Sequence, residues 1–298
     1  MKPPPFEYVA AADLDEALAA LADTSLETRP LAGGQSLVPM LNFRLAVPER
    51  LVDLNRVEEL ARVEEKGDGG LRLGAMTRQR QLEHDPLIAR RVPLLAEAAP
   101  FIAHPQIRSR GTVGGSVAHA DPAAELPAVL LTLGARVHIA RRSRDGESGA
   151  RMERTLDLGD FFLGPFFSAL EPDELLTAID VPAAAVGEGS AFDEVARRRG
   201  DYALVGVAAR LRLGSGGICR EAAISLVNGG STPSLMVEAA EALVGAEPTP
   251  DAIAGAAAVC AETAEPAADM HGSEAYRRHL IRVLTGRVVS RAAERAPA

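Results

Sequence analysis

The 298-residue sequence is poor in cysteine and aromatic residues and contains no tryptophan. Its only cysteines are Cys219 and Cys260. Structural zinc sites use four Cys or His ligands, and iron-sulfur clusters normally use four thiolates. We therefore expect no metal or cluster site within this chain, and both thiols are expected to pack as small apolar side chains.

Positive charge and long apolar runs are also scarce. The formal net charge is -9 and the pI is near 5.3, which would repel a polyphosphate backbone, so no nucleic-acid partner is expected. No stretch approaches the ~20 apolar residues that span a bilayer. The proline-rich start Met1–Pro5 lacks the apolar segment of a signal peptide. These features predict a soluble, cytoplasmic protein with no membrane span.

The order of predicted elements divides the chain into three parts. Residues 1–60 and 61–181 are each predicted to be a mixed α/β unit, and residues 182–298 contain strands followed by helices. Strands first and helices last favour an antiparallel sheet with helices on one face. The expected fold class is α+β. In the last part we predict two strands, then three helices, at 203–213, 222–227, 234–244, 250–264 and 273–289.

Two short stretches combine paired glycines with a hydroxyl residue. They are Ala32-Gly33-Gly34-Gln35-Ser36, followed by Leu37, and Thr112-Val113-Gly114-Gly115-Ser116. Glycine permits positive φ and close approach to a ligand, and successive amide N–H groups can surround a phosphate. Either stretch alone is as well explained by a tight turn. Neither matches Gly-x-Gly-x-x-Gly or a Walker loop, which disfavours a Rossmann domain or a nucleotide hydrolase.

With their flanking residues, the two stretches resemble the FAD-binding subunit of the xanthine dehydrogenase and carbon monoxide dehydrogenase family of molybdenum hydroxylases. The resemblance extends over Ile107–Pro122, Leu175–Pro182 and Arg197–Ala203. It implies FAD as the cofactor. It also implies the vanillyl-alcohol oxidase (PCMH) type of FAD-binding fold in two α/β subdomains, 1–60 and 61–181, and a C-terminal α+β domain, 182–298.

The resemblance implies a set of cofactor-binding residues. The two glycine stretches would surround the FAD diphosphate, while acidic residues would accept hydrogen bonds from ribityl or ribose hydroxyls and Tyr202 would stack beside the flavin. The alternatives are core packing for Ile102 and Leu176 and a structural hydrogen bond for His119. The full set is Ala32, Gly33, Gly34, Gln35, Ser36, Leu37, Ile102, Thr112, Gly114, Gly115, Ser116, His119, Asp121, Glu125, Leu176 and Tyr202.

Asp193 departs from the family pattern, and the run Arg197–Arg199 allows two interpretations. Asp193 stands where the xanthine dehydrogenase branch has a lysine, which disfavours direct NAD chemistry. The run Arg197–Arg199 could dock an acidic partner, but a strand end with salt bridges is the favoured interpretation.

The function implied by the resemblance is electron transfer. One partner subunit with a molybdenum cofactor would oxidise the substrate, a second with two 2Fe-2S clusters would conduct electrons, and FAD in this chain would pass them to an external acceptor. A dimer of heterotrimers is implied, and no residue here is expected to be catalytic. The alternatives are a self-contained FAD-dependent small-molecule oxidoreductase and a non-catalytic scaffold that retains the fold. The sequence specifies neither the substrate nor the acceptor.

Overall fold

A computed structural model of the chain describes residues 1–143 and 150–297. Its elements form three consecutive parts, each built on its own sheet, with an additional two-stranded hairpin in the second part. Within those residues, no helix combines the length and apolar character needed to cross a membrane. The polar run from residue 141 to residue 154 is typical of a hairpin or an exposed loop, and residues 136–142 and 151–157 pair as antiparallel strands. Residues 144–149 lie outside the described residues.

The first part is a three-stranded parallel sheet of order β1-β3-β2. The spacing of Asp13 and Glu16 in the sequence is typical of a helix start. The first helix begins there, and the Asp13 carboxylate accepts a hydrogen bond from the Glu16 N–H at 2.8 Å. Since the strands are parallel, the residues from Ala32 onward leave the sheet at its carboxyl edge. The elements are β1 (Glu7–Ala10), α1 (Leu14–Ala22), β2 (Thr28–Leu31), α2 (Leu37–Phe43) and β3 (Arg50–Asp53).

The second part is a five-stranded antiparallel sheet of order β4-β5-β10-β6-β7 with a layer of short helices. Leu73 and Ile139 of the sheet and Leu82 and Leu130 of the helices belong to one buried core. The elements are β4 (Val63–Glu65), β5 (Leu71–Gly74), α3 (Gln79–His84), α4 (Pro86–Arg91), α5 (Pro93–Ala98), α6 (Pro105–Arg110), α7 (Val113–His119), α8 (Glu125–Thr132), β6 (Arg136–Arg142), β7 (Arg151–Asp157), β8 (Phe162–Gly164), β9 (Phe167–Ser168) and β10 (Glu174–Val181).

The third part is a four-stranded antiparallel sheet of order β11-β12-β13-β14 covered by helices. Val205 and Leu211 of the sheet share a buried core with Ala256 and Ile281 of the helices. The elements are β11 (Glu188–Ala196), β12 (Ala203–Leu213), β13 (Cys219–Val227), β14 (Ser234–Leu235), α9 (Val237–Glu241), α10 (Pro250–Thr263) and α11 (Glu274–Arg295).

Two elements of the third part differ from the sequence prediction. The helix predicted at 234–244 shrinks to α9 because Ser234 and Leu235 pair with β13. Strand β11 is absent from the prediction because its small residues carry little strand propensity. They are small for packing reasons: a Cβ on Gly189 would lie 2.1 Å from the Ala292 carbonyl oxygen of α11.

An ion-pair network joins the second and third parts. Glu97 of α5 pairs with Arg291 and Arg295 of α11, and Arg295 also donates to the Ser190 carbonyl at 2.8 Å. The Glu97 carboxylate accepts from the Phe192 N–H of β11. The C-terminal helix is thereby fixed to the helical layer of the second part.

The Asp180 carboxylate is shared by the side chains of Arg72, Lys66 and His138 in the second sheet. It pairs with Arg72 of β5 through two hydrogen bonds of 2.7 and 2.9 Å and lies 3.0 Å from both Lys66 Nζ and His138 Nε2. Although burial opposes ionisation, the hydrogen bonds from Arg72, Lys66 and His138 hold the pKa of Asp180 well below its usual range.

Asp180→Asn should therefore lower the free energy of unfolding by about 2 kcal/mol at neutral pH, because Arg72 and Lys66 lose the negative charge that they share. A depressed carboxyl pKa stabilises above the unfolded pKa of 3.8, so the deficit should shrink as the pH falls below it. Urea denaturation checks both statements. Asp157→Asn, which removes an exposed pair with Arg136, is the control and should cost well under about 1 kcal/mol. Equal losses in the two variants would contradict the role of the network.

Candidate cofactor site

Thr112–Ser116 begins a helix instead of forming a turn. Thr112 caps α7, with its Oγ1 accepting from the Gly115 N–H at 3.0 Å. Neither Gly114 nor Gly115 has a positive φ, so the expectation of a positive-φ loop is wrong for this stretch. Gly114 is needed for packing, since a Cβ there would lie 2.5 Å from the Ala75 Cβ.

The stretch from Gly33 to Leu37 does form a loop, with Gly34 at φ 73°. Among residues 1–143 and 150–297, none accepts a hydrogen bond from the backbone N–H of any residue from Gly33 to Leu37. The Gln35 side chain folds back and donates to the Gly33 carbonyl at 2.9 Å, and the Ser36 hydroxyl makes no capping bond to α2. All five residues are partly exposed, and a backbone N–H without a protein acceptor bonds to water or to a ligand, so this loop can offer five N–H groups to a ligand.

The two glycine stretches lie against each other. A Cβ on Gly33 would lie 2.3 Å from the Arg110 carbonyl oxygen, and a Cβ on Gly115 would lie 3.5 Å from the Ala32 Cβ. Only glycine at position 33 permits this approach. The structure thus brings both sequence-predicted stretches together at the carboxyl edge of the first sheet.

The two stretches nevertheless offer different donors. In the second, the N–H groups of Val113 and Gly114 bind the Thr77 and Ala75 carbonyls, both at 2.9 Å, and those of Gly115 and Ser116 bind Thr112. These four donors hold the helix in place. Within the described part of the chain, the Thr112 N–H and the Ser116 hydroxyl remain without partners, so the second stretch contributes fewer backbone donors than the sequence suggested.

Asn55 and Arg78, which sequence analysis missed, connect the two stretches. The Asn55 amide donates to the Ala32 carbonyl at 3.0 Å, and Arg78 donates to Asn55 Oδ1 at 2.6 Å and to the Arg110 carbonyl. Backbone pairing of Arg78 with Thr112 adds to the connection. No local pattern identifies these residues, because their partners lie 23 and 32 positions away in the sequence.

The opposite end of α7 carries His119, followed by Asp121 and Glu125. Because α7 has seven residues, its two ends lie ~10 Å apart. The His119 ring lies 5.2 Å from the exposed Phe166 ring, and burial lowers the pKa of His119, which favours a neutral imidazole. Asp121 is 8% exposed and accepts from the Ala123 N–H at 2.9 Å.

Contacts between the second and third parts bring Tyr202 to this end of α7. The Asn228 N–H donates to the Pro122 carbonyl at 2.8 Å, and its side chain donates to the Ala203 carbonyl at 2.9 Å. Partial burial and the charges of Asp121 and Glu125 raise the pKa of the Tyr202 phenol. The Tyr202 side chain is 67% exposed, which leaves its ring available to a ligand.

Ile102 and Leu176 contribute differently, since their side chains are 6% and 3% exposed and belong to the core of the second part. Core packing describes these side chains, so only their backbones can face a ligand. Arg108, itself buried, donates to the Ile102 and Ala103 carbonyls at 2.8 and 3.2 Å. Its guanidinium holds a turn in which Ala103 has a positive φ of 41°.

One buried carboxyl, that of Glu125, and one half-buried carboxyl, that of Glu194, face the boundary between the second and third parts. Burial raises the pKa of Glu125 to about 7, with a further contribution from Asp121. Burial, together with the charges of Glu125 and Asp193, raises the pKa of Glu194 to about 8. Glu194 Oε2 has no hydrogen-bond partner among the described residues. Both groups therefore exchange protons near neutral pH.

Asp193 forms ion pairs with helix α11, whereas Arg197 contacts a histidine. Asp193 pairs with Arg287 and Arg291 of α11 at 3.4 and 3.3 Å. The salt bridges favoured for Arg197–Arg199 are not found among the described residues: Arg197 contacts His271 Nδ1 at 3.0 Å instead. Within the same residues, no group of three or more His, Cys, Asp or Glu side chains is arranged to hold a metal ion.

The pKa of Glu125 gives a test at the protein level. Between the ordinary value of 4.5 and about 7, the folded state binds a proton that the unfolded state has lost, so stability falls as the pH rises through that window. The free energy of unfolding of Glu125→Gln minus that of the wild-type apoprotein should therefore increase by roughly 2–3 kcal/mol as the pH rises from about 4.5 to about 8. Urea denaturation at several pH values measures the difference, with Glu247→Gln at an exposed position as the control. A pH-independent difference would show that Glu125 ionises normally.

Two models of known protein families match consecutive stretches of the chain. The FAD binding domain in molybdopterin dehydrogenase matches residues 4–184, and the CO dehydrogenase flavoprotein C-terminal domain matches residues 190–292. The chain is 43% identical to the 6-hydroxypseudooxynicotine dehydrogenase complex subunit alpha of Paenarthrobacter nicotinovorans, covering 99% of this chain and 97% of the relative. It is 38% identical to the carbon monoxide dehydrogenase medium chain of Afipia carboxidovorans, covering 99% of each.

Solved structures show the same fold over the whole length. Carbon monoxide dehydrogenase from Hydrogenophaga pseudoflava superposes with a TM-score of 0.93 at 37% identity, covering 100% of both chains. Quinoline 2-oxidoreductase from Pseudomonas putida 86 gives a TM-score of 0.90 at 40% identity, covering 99% of both. The expected fold class is confirmed, and the chain belongs to the family of FAD-binding medium subunits of molybdopterin dehydrogenases, whose members include the carbon monoxide dehydrogenase medium chains.

Proposed function

We propose that this chain holds FAD and transfers electrons within a molybdenum-dependent dehydrogenase complex. The observation that carries the proposal is the row of five unpartnered N–H groups from Gly33 to Leu37, lying against the start of α7. A flavin dinucleotide carries a diphosphate that such donors can neutralise without a large basic pocket. When bound, FAD supplies the redox chemistry, while the protein orients it and sets its electrostatic surroundings.

The diphosphate end of the site is assigned to the two glycine stretches. Ala32 to Leu37 would bind the phosphate oxygens through backbone N–H groups and the Ser36 hydroxyl. Thr112, Gly114, Gly115 and Ser116 would contribute mainly a close surface without bulky side chains, with the Ser116 hydroxyl and the Thr112 N–H as donors. The fit requires glycine at 33, where any side chain would displace the Arg110 backbone.

The flavin end is assigned to the C-terminal end of α7 and the turn before β12. The exposed Tyr202 ring would stack beside the isoalloxazine, and Asp121 and Glu125 would accept hydrogen bonds from cofactor hydroxyls. His119 would contact the ring system in its neutral form. Ile102 and Leu176 would line the cofactor through their backbones, in keeping with their buried side chains.

The names of the relatives, which include a complex subunit alpha and medium chains, indicate membership of a multi-subunit complex. We further propose a molybdenum-cofactor large subunit and a small subunit with two 2Fe-2S clusters as partners, arranged as a dimer of heterotrimers in the cytoplasm. The two cysteines of this chain support this division, because both thiols are free and buried in the third part. Substrate oxidation would take place in the large subunit.

The boundaries 1–60, 61–181 and 182–298 are proposed as structural domains. Their support is the position of the three main sheets, which occupy residues 7–53, 63–181 and 188–235.

Gly34→Val should weaken FAD binding by at least about tenfold while the chain still folds, because a β-branched side chain disfavours the φ of 73° that shapes the loop. Gly134→Val is a matched control: Gly134 has a φ of 68°, and a Cβ at that position would have no heavy atom within 4 Å. Both variants should lose similar stability, and only Gly34→Val should lose FAD in equilibrium dialysis. Equal FAD affinities would remove the loop from the site.

Flavin reduction in the assembled complex tests the function as a whole. Anaerobic addition of the complex's substrate should bleach the flavin absorbance when the partner subunits are present and leave it unchanged in this chain alone. Bleaching by a small-molecule substrate without partners would favour a self-contained flavoenzyme. An assembled complex that carries flavin but never reduces it would favour a scaffold.

A further inference from the structure

Arg78 lies at the centre of the contacts that hold the two glycine stretches together. Its guanidinium donates to the Arg110 carbonyl, the same oxygen that a Cβ on Gly33 would approach to 2.3 Å. It also donates to Asn55 Oδ1 at 2.6 Å, and Asn55 in turn holds the Ala32 carbonyl. A positive charge is thus fixed directly beside the loop that exposes five N–H groups.

Arg110, whose backbone carbonyl accepts the hydrogen bond from Arg78, carries a second positive charge. Its exposed side chain makes no ion pair with any described residue, and neither does that of Arg78. The charge of Arg110 acts on both Arg78 and Asp53, so the two guanidinium groups share one electrostatic environment. Hydrogen bonds from Tyr8 and Asn55 occupy the Asp53 carboxylate, which leaves at most one carboxylate against two cations.

This arrangement is unusual for a chain with a net charge of -9. Burial lowers the pKa of Arg78 and repulsion from Arg110 lowers it further, while the charge of Asp53 raises it, so a single carboxylate only partly offsets the two cations. Holding two like charges close together costs free energy that an anion between them would recover. Arginine suits this role because it remains charged when partly buried and recognises phosphate oxygens with a rigid set of donors.

We propose that Arg78 and Arg110 provide the positive charge that binds the FAD diphosphate, with Arg78 also acting as the positioning residue that fixes the two glycine stretches to each other. This inference rests on the proposed FAD-binding function. It assigns binding roles to two residues outside the glycine stretches. It also changes the basis of recognition, because the diphosphate is held by charge as well as by backbone donors.

Equilibrium dialysis of the full chain, stripped of flavin, tests the assignment with FAD and with riboflavin, which has no phosphate. The variants are Arg110→Met, Arg78→Met and Arg78→Lys. Arg80→Met is the matched control, since Arg80 is an exposed arginine on the same segment with no hydrogen bond or ion pair among the described residues. Circular dichroism and urea denaturation report whether each variant folds.

Arg110→Met should weaken FAD binding roughly tenfold and make it less sensitive to salt, while riboflavin binding stays unchanged. Arg78→Met should weaken FAD binding more, because charge and positioning are both lost. Arg78→Lys should retain the salt dependence but lose affinity, since an ammonium cannot reach both Asn55 and the Arg110 carbonyl. The exposed position of Arg110 keeps the test valid even if Arg78→Met fails to fold.

Three outcomes would overturn the proposal. FAD affinity and salt dependence in Arg110→Met equal to those of Arg80→Met, together with unchanged FAD affinity in Arg78→Lys, would show that the Arg110 charge does not contribute and that Arg78 does not position the two stretches. An equal loss of FAD and riboflavin affinity would reduce both residues to a structural role. If the wild-type chain and Arg80→Met bound no FAD at all, the proposed function itself would fail, and this inference with it.

Discussion

The close approach of Gly33 to the Arg110 carbonyl is the contact on which the candidate site depends. It joins the first sheet to the helical layer of the second part without hydrogen-bonding the loop's own N–H groups. A loop that packed through its backbone donors would leave none for a ligand. Here the packing uses the absence of a side chain instead, so that structure and binding do not compete for the same groups.

The site also depends on charge placed at domain boundaries. Glu125 belongs to the second part and Glu194 to the third, yet the charge of Glu125 raises the pKa of Glu194. On the far side, Glu97 ties α5 to two arginines of α11. The interface between the second and third parts therefore contains a stabilising ion-pair network and the carboxyls of Glu125 and Glu194, which resist deprotonation. The two carboxyls lie close to where the flavin is proposed to bind.

The sequence predicted much of this architecture, because strands such as 203–213 and the cap at Asp13 are determined by local patterns. The two glycine stretches were identified, but their conformations were not. The sequence places Gly114 in a loop, whereas it lies in helix α7 and packs against Ala75. Arg78 and Asn55 escaped detection because their partners are remote in sequence. The wider division into three domains, and the role of each site residue, stay predictions.

Asn228 bridges the Pro122 and Ala203 carbonyls, and Gly200 packs against the His104 ring, where a Cβ would lie 2.3 Å from the nearest ring atom. Neither contact can form until the third sheet has folded, although the glycine stretches belong to the first half of the chain. Because domains fold in order of synthesis, the two glycine stretches can come together in the nascent chain before the residues of the flavin end are in place. Under the proposed assignment, the flavin end of the site is therefore complete only after the third sheet has folded.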